Sequence, residues 1–544
     1  MFKVVKLESG DQVIASWDVI GHLAGWIDIL FEKSRELKDC GILSALILNH
    51  ENKVYFHGGY IAPNLMLPIS YAAGQEFFGQ YPGTREVEMV PLLLCIVKKE
   101  LIDKLPLIEC AGDCIFKDAE YCLKAQELGF GVYTTDELIV QYRGKGHALK
   151  NKKEFARQFK LNHQFFKNKF GPKYKEKYKN PVVYHTGVES PTGFAIAAKN
   201  YIAALLRANT KVYYSHLSSV PEAEPLTDDG LVNDAREEVP SMDLPQIIWG
   251  QAPLFFKNSG KYKIGHCEFE GSTIPDSWVP YANMMDEVWT PTLWDKKKLQ
   301  DAGVKVPIYT IPQGIDPNYF HPNMAPVKID AKEKFKFICN ATWEPRKNLA
   351  ELVKAFTSEF KRSEDVCLII KTLSSALSQP VKKEVQAIKA PREGARVYVK
   401  EEILTPEQIG CFYTMGDCFV LPTHGEGWGL PLLEALASGI PIITTGYGAP
   451  NEVLRNDKGE SLPGVHFVDW VEGEAKTPYI YLDGNRWAMP KIDDLKAKMR
   501  FVFENHQEEK KKAMLTSKYI REKFSWDACV VPITKRLEKI YENN

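Results

Sequence analysis

The stretch THGEGWGLPLLEALASGIPIITT, residues 423–445, follows the apolar run DCFVLP (417–422). An apolar run ending in proline, a loop with three glycines, an apolar segment at helical spacing and a second apolar run IPIIT together spell strand, loop, helix, strand. Pro431 suits the first turn of a helix, and Gly439 suits its end. A helix that opens just beyond the carboxyl end of a strand directs its free N–H groups and positive pole at what lies there, which favours phosphate. Gly427 and Gly429 let backbone approach an anion closely. A plain strand-to-helix turn carries the same glycines, so the loop alone does not decide between the two. The acids add information. Glu426 stands in the loop, and Glu434 stands eight residues on among Leu432, Leu433, Leu436 and Ala437, where an unpartnered charge is costly.

The same alternation extends in both directions. Upstream, FKFICNA (335–341), VCLII (366–370) and RVYV (396–399) read as strands separated by helices, the first helix beginning at Lys347. Before a polar, proline-bearing linker at 321–334 lies another block: PVVYHT (181–186), a helical FAIAAKNYIAALLRA, then KVYYSHL, QIIWG, KYKIGHC, EVWTP and PIYTIP. Repeated β–α alternation predicts parallel sheets covered on both faces. Two such blocks predict an α/β protein with two Rossmann-like domains facing a cleft, with ligands beyond the carboxyl ends of the strands. The first 178 residues read differently. They hold strand candidates LSALILN, KVYFHGG and VEMVPLLLCIV, a helical FKDAEYCLKAQELG, and a lysine-rich helix within 149–179. That helix carries Phe155, Phe159, Phe166 and Phe170 and is expected to end at Gly171-Pro172. The expected domains are 1–178, 179–325 with 525–544, and 326–524.

The bulk properties narrow the function. The 544 residues suffice for three domains, and a net charge of −1 gives no global pull toward nucleic acid or an anionic membrane. The eleven cysteines show no CxxC pair and no zinc spacing. Cys110 and Cys114, the closest, read as packed thiols, and the unpatterned set fits a reducing compartment. MFKVVKLESGDQV lacks the apolar core of a signal peptide, and the longest apolar run, 90–97, is far shorter than a spanning helix. A cytoplasmic protein is expected, with peripheral membrane contact left open.

EPRKN, residues 344–348, follows the strand FKFICNA, so Arg346 and Lys347 should face the same cleft as the glycine loop and could neutralise a diphosphate. With these residues in place, the chain from about 181 to 541 resembles the retaining nucleotide-sugar glycosyltransferases of family 4, of GT-B fold. In that family a Glu, seven residues and a second Glu mark the donor site, the spacing of Glu426 and Glu434. The likeness extends through NATWEPRKNLAELVKAF, DEVWTPTLWDKKKLQDAGV, IPQGIDPNYFHP and WAMPKIDDLKAKMRFVFEN. One departure is Thr342, where many members carry arginine, which leaves Arg346 to take that role. The resemblance implies that Glu434 receives the donor ribose hydroxyls and that Glu426 contacts the transferred sugar. It further implies that Arg346, Lys347 and the loop Gly427-Trp428-Gly429-Leu430-Pro431 hold the diphosphate of a UDP- or GDP-sugar. No metal and no further cofactor are expected.

On the acceptor side, VVYHTGVESPTGF places Gly187, Ser190, Thr192 and Gly193 after a strand; the resemblance implies that this loop faces donor phosphate and acceptor across the cleft, with Gly193 and Thr192 as acceptor-side candidates. In GHCEFEGSTIP, His266 and Glu270 are candidates for acceptor binding or proton handling, and a packed histidine with a solvated glutamate is an equal alternative. Asp316 resembles a recurrent interdomain position with a structural role, and the terminal helix is expected to cross back to the first Rossmann domain. The acceptor is open among glycan, lipid-linked sugar, protein and nucleobase, with nucleic acid not favoured. A non-catalytic nucleotide- or glycan-binding protein, or a GT-B phosphorylase or epimerase, is the alternative function.

Residues 1–170 resemble the second half of a family 2 glycosyltransferase of GT-A fold, through KVYFHGGY, VPLLLCIVKKELIDKLP, GDCIFKDAEYCLKAQELGFGVYTT and HALKNKKEFARQFKLNHQFFKNKFG. Asp118 and Glu120 stand near the family's carboxylate pair. The nucleotide-binding half and its Asp-x-Asp are missing, only Asp11 stands near that place, and His147 is displaced from the usual histidine position. A degenerate unit with a structural, acceptor-binding or oligomerising role is expected. A truncated product, or a site completed by another chain, is the alternative.

Overall fold

The computed structural model describes residues 2–16, 18–20, 25–107, 115–143, 152–188, 192–217, 230–236, 241–373, 381–388 and 391–543. Cys110, Cys114, His147 and Ser190 lie outside the described residues. The chain divides into two compact units, residues 1–178 and 179–544.

The first unit is built on a mixed sheet whose central strand, Cys40–Leu48, is buried along its whole length. Gly131–Tyr142 pairs with it in parallel on one side, and Leu94–Val97 pairs antiparallel on the other. Of VEMVPLLLCIV, only Leu94–Val97 is strand, and KVYFHGG is broken at Gly58 (φ +73°) into Val54–Phe56 and Gly59–Ala62. The lysine-rich helix spans Lys152–Lys177 and runs through Pro172 rather than stopping there. A proline inside a helix costs about 3 kcal/mol. Phe166, Phe170 and Tyr174, four residues apart, all bury into the core, and that burial offsets the penalty. Tyr174 also bonds Glu88 through its hydroxyl. Phe159 is more than a third exposed, its ring edge-on against the core residue Phe116.

Asp11 of this unit is buried, accepting from Lys98 Nζ (2.8 Å) and from the Lys99 amide (2.9 Å). Burial would raise its carboxyl, but these two donors outweigh burial and hold it below the usual range. Glu120 is bound by Lys124 (2.8 Å) and Lys169 (2.6 Å), and Asp118 is buried on the same helix, Ile115–Glu127.

The second unit contains two six-stranded sheets, and every strand pairing in them is parallel. The first sheet has the order Thr210–His216, Lys179–Thr186, Pro245–Trp249, Tyr262–His266, Glu287–Thr290, Ile308–Thr310. The second has the order Arg396–Glu401, Val366–Thr372, Phe335–Asn340, Cys418–Leu421, Ile442–Thr445, Val465–Val468. This is an α/β architecture of two Rossmann-like domains, the GT-B arrangement. The sixth strand of the second sheet and the hairpin Trp470–Glu474/Arg486–Pro490 were not expected from the sequence.

In the second sheet the strand order reverses between Phe335–Asn340 and Cys418–Leu421. Such a switch point opens a crevice between the loops that leave the two strands. The loop after the first of them carries EPRKN, and the loop after the second carries HGEGWG. The terminal segment docks on the first sheet. Ser525 bridges to Ile315, Arg207 pairs with Asp527, and Arg536 on Val531–Asn543 grips Glu287. Asp316 accepts from the amide (2.9 Å) and side chain (2.8 Å) of Asn318, a local turn contact.

Candidate active site

The two loops of the switch point are stitched together by backbone. Asn348 adopts a left-handed conformation (φ +58°) and its side chain donates to Pro422 O at 3.2 Å. The Arg346 carbonyl accepts from the His424 amide at 2.8 Å and from Thr423 Oγ1 at 3.1 Å. EPRKN therefore does not open a helix at Lys347. Pro345–Lys347 is a single 3-10 turn, and the α-helix begins at Leu349 after the left-handed Asn348. That break takes the two basic residues out of a first α-helical turn, where their charge would oppose the helix dipole.

Lys347 Nζ reaches both oxygens of Glu426 at 2.8 Å. Arg346 Nη1 lies 3.4 Å from the same carboxylate. Glu426 is 5% exposed. Burial would raise its carboxyl, but Lys347 and Arg346 outweigh burial and hold it ionised below the ordinary range. Arg346 is itself held on all sides. It donates to Gly425 O (2.8 Å) and Glu344 (3.0 Å), and Glu270 lies at 3.7 Å. Only its Nε lacks a partner. Burial opposes its charge, yet Glu270, Glu426 and Glu344 keep it fully protonated. Arg346 thus fixes the loop, while Lys347 presents a cation at the crevice.

Gly429 takes φ +99° and opens the helix Leu430–Ala437, with Pro431 in its first turn. Glu434 is 7% exposed within that helix, and Tyr413 donates to its Oε2 at 2.7 Å. Asn340 donates in turn to the Tyr413 hydroxyl at 3.2 Å. Burial pushes the Glu434 carboxyl up to about 7, against the Tyr413 bond and the charge of Lys371. Lys371 is buried at the carboxyl end of Val366–Thr372, and burial lowers its ammonium. Sequence reasoning missed Lys371 and Tyr413. A lysine closing the apolar strand VCLIIKT was a readable signal for the first, but nothing marks the second. Trp428, expected at the donor, packs its ring edge-on against Phe524 and is buried.

Gly193 and Leu430 face each other across the cleft: a Cβ at Gly193 would stand 3.7 Å from Leu430 Cδ1. Thr192 caps the helix behind Gly193, its hydroxyl accepting from the Ala195 amide at 3.4 Å. Glu270 joins the cluster through Arg346. His266 does not. It is fully buried against Trp249 (4.0 Å), Tyr201 and Trp289, neither ring nitrogen has a partner, and burial drives it well below the usual histidine range.

Further fastenings cross the cleft among the described residues. Glu452 accepts from the Leu293 and Trp294 amides, both at 2.9 Å, at the start of Leu293–Asp301. Asn485 accepts from the Ser272 amide (2.8 Å) and donates to Thr273 O (2.6 Å), and a Cβ on Gly271 would collide with it at 2.4 Å. Asn485→Ala is expected to cost about 1–2 kcal/mol, because it removes the part-buried hydrogen bonds that buried Asn485 makes to Ser272 and Thr273. A thermal midpoint equal to wild type would refute this.

Residues 323–469 match the family described as glycosyl transferases group 1, so the chain carries a domain of that group. A probable sucrose-phosphate synthase from Thermosipho melanesiensis is 22% identical over 241 residues, covering 43% of this chain and 48% of that protein. A putative glycosyltransferase of a Sulfolobus islandicus filamentous virus is 25% identical over 264 residues, 47% of this chain and 66% of that protein. The match spans about half the length of the first of these. Among solved structures, a sucrose-phosphate synthase from Thermosynechococcus elongatus superposes with a TM-score of 0.49 at 13% identity, over 67% of this chain and 100% of that one. No helix among the described residues is long and apolar enough to cross a membrane.

Proposed function

We propose that residues 179–544 form a retaining glycosyltransferase that moves a sugar from a nucleoside-diphosphate donor, a UDP- or GDP-sugar, to a hydroxyl-bearing acceptor. The observation that carries this reading is the Lys347–Glu426 pair at the mouth of the switch-point crevice, beside the left-handed Gly429 that opens a helix. Breaking the bond between sugar and diphosphate places negative charge on the leaving group and positive charge on the anomeric carbon. Lys347 and the amides at the start of Leu430–Ala437 would stabilise the first, and ionised Glu426 the second. Arg346 holds the loop that presents Glu426. No further cofactor enters this scheme. The unit 1–178 is assigned a non-catalytic role, supported by the engagement of Asp11 and Glu120 with lysines.

The primary test is thermal stabilisation by a panel of nucleotide sugars, followed by hydrolysis and transfer assays with those that bind. A protein that binds a nucleotide but never cleaves its sugar would be a binding protein instead.

Glu434 supplies a second test. Ribose hydroxyls donate best to a carboxylate, whereas the free protein holds this carboxyl half-protonated near pH 7. Nucleotide binding must then release a proton. Affinity for free nucleotide is expected to weaken about tenfold per pH unit below 7. Glu434→Gln should bind about tenfold more weakly at pH 8 and lose that slope. Calorimetry from pH 6 to 8 checks both; an unchanged slope in the variant sinks the assignment.

A further inference from the structure

The chain leaving Tyr262–His266 runs along the cleft as Cys267–Gly271, and it is held firmly. Lys298 Nζ donates to the carbonyls of Phe269 (3.1 Å) and Gly271 (2.9 Å) while pairing with buried Asp295 at 3.0 Å. This segment lies directly on the donor-side glycine loop. A Cβ at Gly425 would stand 2.5 Å from the Glu270 carbonyl oxygen. A Cβ at Gly427 would come within 3.0 Å of Cγ, Cδ and Oε2 of Glu268. The Glu268 side chain therefore lies in close contact with the backbone at Gly427, where a Cβ would press on it.

Glu268 is partly open to solvent yet surrounded by protein, as befits a group lining the cleft. Gln313 Nε2 donates to its Oε2 at 2.5 Å. The other charged and titratable groups around it are Glu270, Asp295 and Arg346, with Lys298 committed to Asp295, Glu426 committed to Lys347, and the Tyr201 hydroxyl donating to Pro312 O. Burial, then Glu270 and Asp295, push the Glu268 carboxyl up to about 8, and Gln313 and Arg346 do not reverse this. At pH 7 the group is therefore a carboxylic acid, with a proton to donate. Since Oε2 accepts from Gln313, the proton falls to Oε1. An ionised carboxylate here would repel an incoming diphosphate, but a neutral acid does not.

We propose that Glu268 is the acceptor-side residue that contacts the substrate over Gly427, donating its carboxyl O–H to an oxygen of the transferred sugar. This rests on the reading that the loop 425–429 receives a nucleotide sugar. It adds a contact from the opposite domain, so that only a closed cleft presents the full set of donors.

The test measures donor hydrolysis with UDP-glucose, UDP-N-acetylglucosamine and GDP-mannose, and binding of UDP and GDP, for wild type, Glu268→Gln and Glu268→Ala. Glu268→Ala is expected to lose about 30-fold in kcat/KM while its affinity for the free nucleotide stays within about threefold. Glu268→Gln keeps size and a neutral donor, and should stay within about threefold of wild type at pH 7. The wild-type rate should fall as pH rises through about 8, and the Gln variant should not share that fall. An alanine variant at wild-type rate, or a Gln variant that falls in parallel with wild type above pH 8, overturns the proposal. If the alanine variant fails to fold, the Gln pH profile decides alone. A wild type that neither binds nucleotide nor cleaves any donor overturns the proposed function and this contact with it; active wild type with indifferent Glu268 variants overturns this contact only.

Discussion

Lys347→Ala is expected to lower turnover about 10²–10³-fold, the cost of removing one fixed donor from a leaving-group site. Two effects combine in this figure. The variant loses the cation at the crevice, and it leaves Glu426 buried with Arg346 at 3.4 Å as its remaining charged neighbour. The Glu426 carboxyl then rises toward protonation, because burial is its largest single influence and Lys347 the largest opposing one. Glu426→Gln should lose turnover to a similar extent while binding free nucleotide as wild type does, since its partner is Lys347 and not a base or ribose site. The double variant should lose little more than either single one, because the two side chains act as a unit. Single-turnover hydrolysis with calorimetry of the free nucleotide separates the terms. Wild-type turnover in Lys347→Ala would refute the site, and additive losses in the double variant would refute the pairing.

Arg536→Ala is expected to destabilise the second unit by about 3 kcal/mol, as for breaking a buried ion pair from one side. Glu287 is fully buried and receives Arg536 Nε at 2.8 Å and Nη2 at 2.6 Å, with Trp289 Nε1 (2.7 Å) and Tyr262 OH (2.8 Å) completing its shell. Without the guanidinium, a carboxylate remains inside the first sheet with neutral partners only. Arg536 stands on Val531–Asn543, so the loss also loosens the terminal helix that returns to the first Rossmann domain. The midpoint to follow in thermal unfolding is the one that shifts upward with nucleotide. Arg536→Met combined with Glu287→Gln should recover part of the loss, since no charge is then stranded. An unshifted midpoint in Arg536→Ala would show that the pair contributes nothing.

The legible parts of the fold share one physical property. Parallel strands covered on both faces, such as VCLII and DCFVLP, read as unbroken apolar runs bounded by turn residues. Val465–Val468 escaped because two of its four residues are half-buried, and the hairpin at Trp470–Glu474 because that strand is largely exposed. The long helix of the first unit was misjudged at Pro172, because the local penalty is visible in sequence and the offsetting burial of Phe170 and Tyr174 is not. Of the residues gathered at the crevice, Arg346 and Lys347 were legible through their position after a strand, and Glu426 and Glu434 were singled out by the family resemblance of their spacing. Glu268, Lys371, Tyr413 and Asn485 were not, because each matters through a partner far away in the chain. Gln313 is 45 residues from Glu268, and Asn485 is 213 from Ser272.

By itself the sequence determined the parallel α/β architecture, the glycine loop before a helix and the two acids eight residues apart, all of which follow from short-range periodicity and from the backbone freedom of glycine. Only the tertiary structure decided which charges meet. It bound Lys347 to Glu426, spent Arg346 on the loop, sealed His266 among aromatic rings and laid Glu268 on Gly427. Charge state and partner depend on burial and on distances of a few ångströms between segments from different strands, and no local pattern encodes those.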